Sequence, residues 1–383
     1  MGAPIDLAAA HEAFEGSKDG TVGLEEEFAL CDPQTLELVP RFEELRDAAD
    51  PVLAASISGE LIRSEIEIRS GRGEDLADAL ARQRDHRRRL VALAAAHDMT
   101  LGATGTHAFS DYREQQFIET DHYRRVAEGL QWVAKRNNTF SLHVHVGVRG
   151  ADRAVDVCDR LRGILPTLLA ASASSPFYDG IDSGLHSARS QMFTKTFPRC
   201  GVPDHYGGWA AYAQYIDLLL RTNSIVEYTQ VWWSVRPHFT FGTVEVRICD
   251  AQPTAAEGDA LAALVTACVL QAARDHDEGV EAVVPANRLV EENTWRAIRT
   301  GMDGKLIDLA GLREVEARAA LEELLAWTAP SRAAHGLPEP ALPEQTSAQR
   351  QKALLAEGLT PRDVYAATVR ETQTTYGQEI RTA

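Results

Sequence analysis

Four segments of this chain alternate apolar and ionisable residues with a period of two, and this pattern constrains the fold more than any other feature. Successive side chains of a strand point to opposite faces. In 21–30, Val22, Leu24, Phe28 and Leu30 share one face, and Gly23, Glu25, Glu27 and Ala29 the other. Glu26 falls on the apolar face, where the pattern offers no reason for it. In 61–69, Ile62, Ile66 and Ile68 oppose Arg63, Glu65, Glu67 and Arg69. In 140–148, Leu142, Val144, Val146 and Val148 oppose His143 and His145. In 240–248, Val244, Val246 and Ile248 oppose Glu245 and Arg247. Each strand therefore has one face for a helix layer and one face of Glu, His and Arg.

Further strand signals lie at 100–105 and 231–235. Helical periodicity covers 74–97, 120–135, 153–171, 209–222, 254–275 and 287–300. Thr254 with Glu257 reads as a capping box, and Gly301 as a helix stop. Thr360–Pro361–Arg362–Asp363 is a helix start, opening a last helix through Thr372. Several strands follow one another with no helix between them, so βαβ alternation fails. The expected class is α+β, with a mostly antiparallel sheet backed by helices. No repeat or low-complexity linker divides the chain.

If the four strands share a sheet, five glutamates, two histidines and three arginines share a surface. Carboxylates packed that closely repel and take up protons unless cations bind. Oxygen donors with an occasional imidazole suit Mg²⁺ or Mn²⁺, which in turn hold phosphates. Taken singly, each motif has a plainer reading: a solvated E-x-E face, a structural H-x-H, an E-x-R pair worth little. Four strands of matching polarity outweigh that reading together.

Charge limits the partners. Lys and Arg number 39 against 56 Asp and Glu, a formal net charge of −17. Such a chain is a poor general binder of nucleic acid or anionic membrane. The five cysteines are widely spaced without C-x-x-C, which argues against a disulfide framework or zinc ribbon. Residues 1–14 lack a basic start and a long apolar run, and the most apolar segment, 261–273, is short for a bilayer. The expectation is a cytoplasmic protein with small-molecule substrates.

Several blocks resemble one family. Gly23–Leu24–Glu25–Glu26–Glu27–Phe28, Gly105–Thr106–His107, the run from Leu142 to Val148 and Ser174–Ser175–Pro176–Phe177 are similar to the type 2 glutamate–cysteine ligases, the YbdK-like carboxylate–amine ligases. So are Trp232–Trp233–Ser234–Val235–Arg236–Pro237, the block from Gly242 to Asp250, and Glu292–Asn293–Thr294–Trp295–Arg296–Ala297. The blocks occur in family order over about residues 21–301. The resemblance implies a glutamine-synthetase-like fold, a curved antiparallel sheet whose concave face forms a funnel for ATP and Mg²⁺ or Mn²⁺. It implies a single catalytic domain across 1–383, with a core of about 20–301 and a helical C-terminal section of about 302–383. It also implies a homodimer or larger homo-oligomer. The implied chemistry joins a glutamate-like carboxylate to cysteine or another amine through an acyl-phosphate, releasing ADP and phosphate.

By position, Glu25 and Glu27 resemble metal ligands of the first strand, and Glu67 with Glu60 a second acidic pair. Relatives often carry an amide at the position of Glu65. His143 resembles an imidazole ligand and His145 a nucleotide or substrate contact. Glu245 resembles a ligand for the metal beside the phosphates, and Arg247 a residue reaching the γ-phosphoryl group. Arg189 is either a substrate-carboxylate contact or a surface arginine. Arg236 either binds phosphate or braces the sheet. Trp232 and Trp233 alternate faces, so one belongs to the core and the other to the funnel wall. Lys195 is expected exposed, His107 structural, Asn293 and Trp295 packed, and Cys249 unreactive. Ser141 departs from the small or sulfur-bearing residue expected before the H-x-H strand.

Three other functions compete. An H-x-H amidohydrolase needs that motif at the start of a parallel barrel, and here it is mid-chain. A metal-dependent amide hydrolase on the same fold, with water activated in place of phosphate, stays open. A binding protein with a dead site conflicts with the intact acidic set.

Overall fold

In the computed structural model, which describes residues 6–378, seven strands form one open, wholly antiparallel sheet. They are β1 (Val22–Cys31), β2 (Ile57–Ser58), β3 (Glu65–Arg69), β4 (Thr100–Gly102), β5 (Ser141–Gly147), β6 (Val235–His238) and β7 (Thr243–Asp250). The spatial order is β6-β7-β5-β1-β3-β2, and β4 pairs with the far half of β1 beyond β5. The α+β expectation holds.

The apolar faces behave as the alternation requires. Val22, Leu24, Leu142, Val144, Val146, Val244 and Val246 are buried in one core. Over them lie α1 (Leu76–Ala96), α2 (Ala151–Leu161), α3 (Leu165–Ser172) and α4 (Ala255–Asp277). Each fully buried Val or Leu contributes about 1.5–3 kcal/mol relative to exposure. The 153–171 periodicity resolves into two helices, with a 3₁₀ turn at Arg162–Ile164 and Pro166 in the first turn of α3. Thr254 caps α4, accepting the Glu257 amide at 3.3 Å. The reciprocal half of the box is absent, because the Glu257 carboxylate takes the Thr254 hydroxyl (2.6 Å) and Arg350 (2.7 Å) instead. At 23 residues, α4 is long and apolar enough to cross a bilayer, contrary to expectation, but 83% of its most apolar window is buried against the sheet and its neighbours.

Two strands differ from expectation. The 61–69 strand begins only at Glu65; Arg63 lies before it and pairs with Glu43 at 3.0 Å, so it does not join the ionisable face. The 231–235 signal splits. Trp232–Trp233 pairs in parallel with Cys200–Gly201, and Val235 starts β6.

The helix α5 (Pro361–Tyr376) starts where expected, its Thr360 and Asp363 form a capping box, and it runs four residues past Thr372. It packs on β4 and against the convex-side helices α1 and α4. Tyr365 packs on Ala29 and Cys31, and a Cβ at Gly102 would stand 2.1 Å from the Tyr365 hydroxyl. Only glycine fits that approach.

Glu26 is accounted for on the convex side. Arg87 of α1 grips it with two hydrogen bonds, 2.6 and 2.7 Å, and Gln83 adds a third at 2.8 Å. Arg87 also binds Asp259 of α4 at 2.7 Å. All three are neighbours only because α1 and α4 cross behind β1.

Candidate active site

Strand register places the concave residues against one another. Glu25 stands opposite His143 on one side and Arg69 on the other; Glu27 opposes Glu67. Glu245 opposes both His145 and Arg236. Together with the loop residue Glu60 they line an acidic cavity of about 290 Å³, to which Arg189 and Arg247 also contribute. His145 instead faces a second cavity of about 570 Å³, lined by Gly16, Ser17, Val22, Gly23, Gly71 and other small or apolar residues. Glu25, Arg69 and Phe241 line both cavities.

Three overlapping donor sets occupy this junction, each with its ligand atoms within 4.8 Å of one another: Glu25–Glu67–His143, Glu25–His145–Glu245 and Glu27–Glu60–Glu67. Their electrostatics divide into two halves. Burial pushes Glu60 up to about 8, with Glu27 and Glu25 adding repulsion. Burial holds Glu65 and Glu67 well above the usual carboxylate range, with Glu27 and Glu60 repelling both. Burial acts to raise Glu25 too, but His145 and His143 outweigh it and hold its carboxyl well below normal. In Glu245, Arg236 and Arg247 likewise outweigh burial. His145 is raised, Glu25 and Glu245 overcoming its burial, whereas burial and Arg247 lower His143.

The donor chemistry fits divalent cations. Among the described residues the acidic half, Glu27, Glu60, Glu65 and Glu67, has Arg69 nearby, 3.7 Å from Glu67 and partly exposed, and feels the charge of Arg247 at Glu60 and Glu27. Two buried atoms aimed into the cluster, His145 Nε2 and Glu65 Oε2, have no hydrogen-bond partner. Oxygen-rich sets with one imidazole are what Mg²⁺ or Mn²⁺ take.

The arginines are less free than a solvated funnel suggests. Glu245 is only 1% exposed. Arg236 donates Nε to it at 2.6 Å and spends Nη1 on the carbonyls of Val231 (2.6 Å) and Thr229 (3.1 Å), so it braces. Arg247 also binds Glu245 and keeps its Nε unpartnered. Arg189 is buried, not a surface arginine; its Nη atoms hold the carbonyls of Ile248 and Arg247 at 3.1 Å.

Sequence reasoning missed three residues here. Glu65 joins the cluster despite its unassigned status. Ser141 donates its amide to Glu27 at 2.5 Å, and its hydroxyl meets His143 Nε2 at 2.7 Å. Asp250 would follow Val246 and Ile248 onto the apolar face by strict alternation. A bulge between Val246 and Cys249 instead sets it opposite Ser141. There it accepts from Ser174 N, Ser175 and Ser187 at 2.7–3.0 Å. Of these, only Glu65 had a signal in the sequence, its place on the E-x-E face.

The weaker expectations sort cleanly. Trp233 is core and Trp232 lines the acidic cavity. His107 is a satisfied structural histidine, its Nε2 2.8 Å from the Leu36 carbonyl, with burial pushing it down to about 3. Lys195 is exposed, and Asn293 is tied to Ile307. Trp295, expected packed, is 41% exposed. Burial pushes the Cys249 thiol up to about 12, far from a thiolate nucleophile.

Comparison with known proteins agrees with this geometry. The model of the glutamate–cysteine ligase family 2 matches residues 21–373. This chain belongs to that family. A Solibacter usitatus protein named "Putative glutamate--cysteine ligase 2" is 39% identical over 306 residues, covering 80% of this chain and 79% of the relative. A Rubrobacter xylanophilus protein, "Putative glutamate--cysteine ligase 2-2", is 37% identical over 369 residues, 94% of each. Among solved structures, a Francisella tularensis glutamate–cysteine ligase in complex with AMP superposes with a TM-score of 0.68 at 13% identity, covering 96% of this chain and 91% of the other. A bifunctional glutathione synthetase from Pasteurella multocida gives 0.67 at 13% identity, over 96% of this chain and 54% of the other. At that identity the likeness is one of fold, and it makes the glutamine-synthetase-like expectation secure.

Proposed function

We propose that this face joins a carboxylate to an amine with ATP, through an acyl-phosphate, releasing ADP and phosphate. One observation carries the reading. Three carboxylate and imidazole sets and Arg247 stand where an acidic cavity meets a larger one walled by small and apolar residues. The larger cavity suits a nucleoside, with Phe241, 54% exposed on the shared rim, offering a ring face to the base. Phosphates then lie at the junction beside Arg69 and Arg247, and the reacting carboxylate and amine occupy the acidic cavity.

Glu25, Glu67 and His143, Glu25, His145 and Glu245, and Glu27, Glu60 and Glu67 would hold divalent cations, which when bound supply charge neutralisation to the phosphates. The chain's residues do the rest by position and charge. A carboxylate oxygen attacks the γ-phosphorus, the bond to the β-phosphate oxygen breaks and ADP departs. Arg247, held by Glu245, neutralises the moving phosphoryl oxygens with its free Nε. The amine nitrogen then attacks the acyl carbon; the C–N bond forms, the C–O bond to phosphate breaks, and the surplus proton leaves with phosphate. Arg236 and Ser141 position Glu245, Glu27 and His143.

The test is ADP release with Mg²⁺-ATP against panels of carboxylates and amines, with the product identified by mass. An amide of the expected mass, formed stoichiometrically with ADP, supports the reading. Hydrolysis of a simple amide without ATP, and no ADP with any pair, would replace it with the amide hydrolase.

A further inference from the structure

Glu25, Glu27, Glu67, Glu245, His143 and His145 all sit on β1, β3, β5 or β7, where strand pairing fixes them. Among the described residues of the three donor sets, Glu60 is the exception. It lies in the 59–64 segment between β2 and β3, and only the Glu27–Glu60–Glu67 set uses it. Something other than the sheet must hold it in place.

That support comes from residues 116–123. Ile118 N donates to the Leu61 carbonyl at 3.1 Å, and Arg63 N to the Gln116 carbonyl at 2.8 Å. A Cβ at Gly59 would stand 2.6 Å from Ile118 Cδ1 and 2.7 Å from the Phe42 ring, so the chain passes there only as glycine. The peptide joining Gly59 to Glu60 then meets the Tyr123 hydroxyl, which donates to the Gly59 carbonyl. The Ser58 hydroxyl lies farther from that carbonyl, at 3.5 Å.

Tyr123 is itself fixed. It occupies the first turn of the helix Asp121–Leu130, where Thr120 accepts its amide at 3.2 Å. Its neighbour His122 pairs at 2.7 Å with Glu227, just before the cavity-lining residues Thr229 and Gln230. Val126, one turn on, packs in one cluster with Leu61 and Trp232. Burial and the nearby Glu60, Glu67, Glu65 and Glu27 raise the Tyr123 hydroxyl well above the usual phenol range, so it keeps its proton and stays a donor.

We infer that Tyr123 is a positioning residue for Glu60, and that through Glu60 it sets the affinity of the Glu27–Glu60–Glu67 set for a divalent cation. This rests on the cation-holding part of the ligase reading above and deepens it. Tyr123 acts on the backbone from which the Glu60 side chain springs. Groups that orient a ligand without touching the metal are worth about 10–100-fold in metal affinity. The other two sets hang wholly on paired strands and do not depend on it.

The test is Mn²⁺ binding to the full chain, read from the spin-resonance signal of free Mn²⁺, without nucleotide and with the β,γ-methylene analogue of ATP. Tyr123→Phe keeps the ring and removes only the donor. The expected result is one class of Mn²⁺ sites weakened about tenfold or more, with the others unchanged. Glu60→Gln weakens the same class, and adding Tyr123→Phe to it lowers no site further, because the two residues act as one. In turnover, Tyr123→Phe raises the KM for Mg²⁺ and leaves kcat at saturating Mg²⁺ nearly unchanged. Unchanged Mn²⁺ affinity in Tyr123→Phe overturns the inference and leaves the ligase reading standing. So does a further loss in the Glu60→Gln background, which marks a general structural part. A wild-type chain that binds no Mn²⁺ in either state overturns both.

Discussion

Glu25, Glu26 and Glu27 are consecutive, yet they belong to two opposite electrostatic designs. Glu26 points to the convex side, where Arg87, Gln83 and, at 3.5 Å, the Tyr376 hydroxyl close around it. Arg87 there is raised above its usual range, Glu26 and Asp259 outweighing its burial. Glu25 and Glu27 point to the concave side, where carboxylates outnumber cations and burial with mutual repulsion raises Glu60, Glu65 and Glu67 above the usual carboxylate range. A buried carboxylate that carries its own counter-ion is a structural element. Buried carboxylates left to repel each other are a site waiting for an external charge.

The largest effect expected from this contrast is on the convex side. Arg87→Met leaves Glu26 buried without its cation, while Asp259 keeps Arg84 at 2.7 Å, and costs about 3–5 kcal/mol. Urea unfolding reads the loss, which is the same with and without Mg²⁺. A loss that Mg²⁺ restores would erase the distinction between the faces.

Glu67→Gln has the opposite signature. It removes one repelling carboxylate and one cation ligand from two donor sets, so the metal-free melting temperature rises at pH 8 while Mg²⁺-ATP turnover falls about 10²–10³-fold. A melt and an ADP assay on the same sample check both. Glu67 is the sharper probe than Glu245, because Glu245→Gln also strands the buried Arg236.

The pH dependence follows with its sign. Glu60, Glu65 and Glu67 have folded values raised above the unfolded one, about 4.3. Their contribution to stability is full below that value and is lost as pH rises through the folded values, about 8 for Glu60. Glu25 and Glu245, depressed, lose theirs only as pH falls below the ordinary range. The metal-free protein should therefore melt progressively lower between about pH 5 and 8. Mg²⁺ at a hundredfold excess over its Kd adds about 2.7 kcal/mol and flattens that slope. A flat metal-free profile would show that the acidic half is not strained.

The smallest effect is Tyr376→Phe. It removes a hydroxyl that donates to the Gln252 carbonyl at 2.8 Å behind the sheet. Stability drops by about 1 kcal/mol and the response to Mg²⁺ is unchanged.

Much of the sheet was legible because strand alternation is a local property. Val144 and His143 declare opposite faces from their neighbours alone, and the caps at Thr254 and Thr360 lie within four residues. The errors fall where a distant segment intervenes. Arg63 leaves the face because β3 begins only at Glu65, and Asp250 joins it because a bulge resets the register of β7 against β5. Arg189 is buried because β7 supplies carbonyls for its guanidinium, from a segment some sixty residues further along the chain.

The sequence by itself determined that four strands would turn Glu, His and Arg to one side, since a period of two needs nothing but the backbone. It determined the family through blocks held in order. Tertiary structure alone decided which carboxylates are neutralised and which are not. Coulomb interaction and desolvation depend on distances between segments, and those distances exist only once α1 lies behind Glu26 and Glu60, Glu65 and Glu67 gather before Glu27.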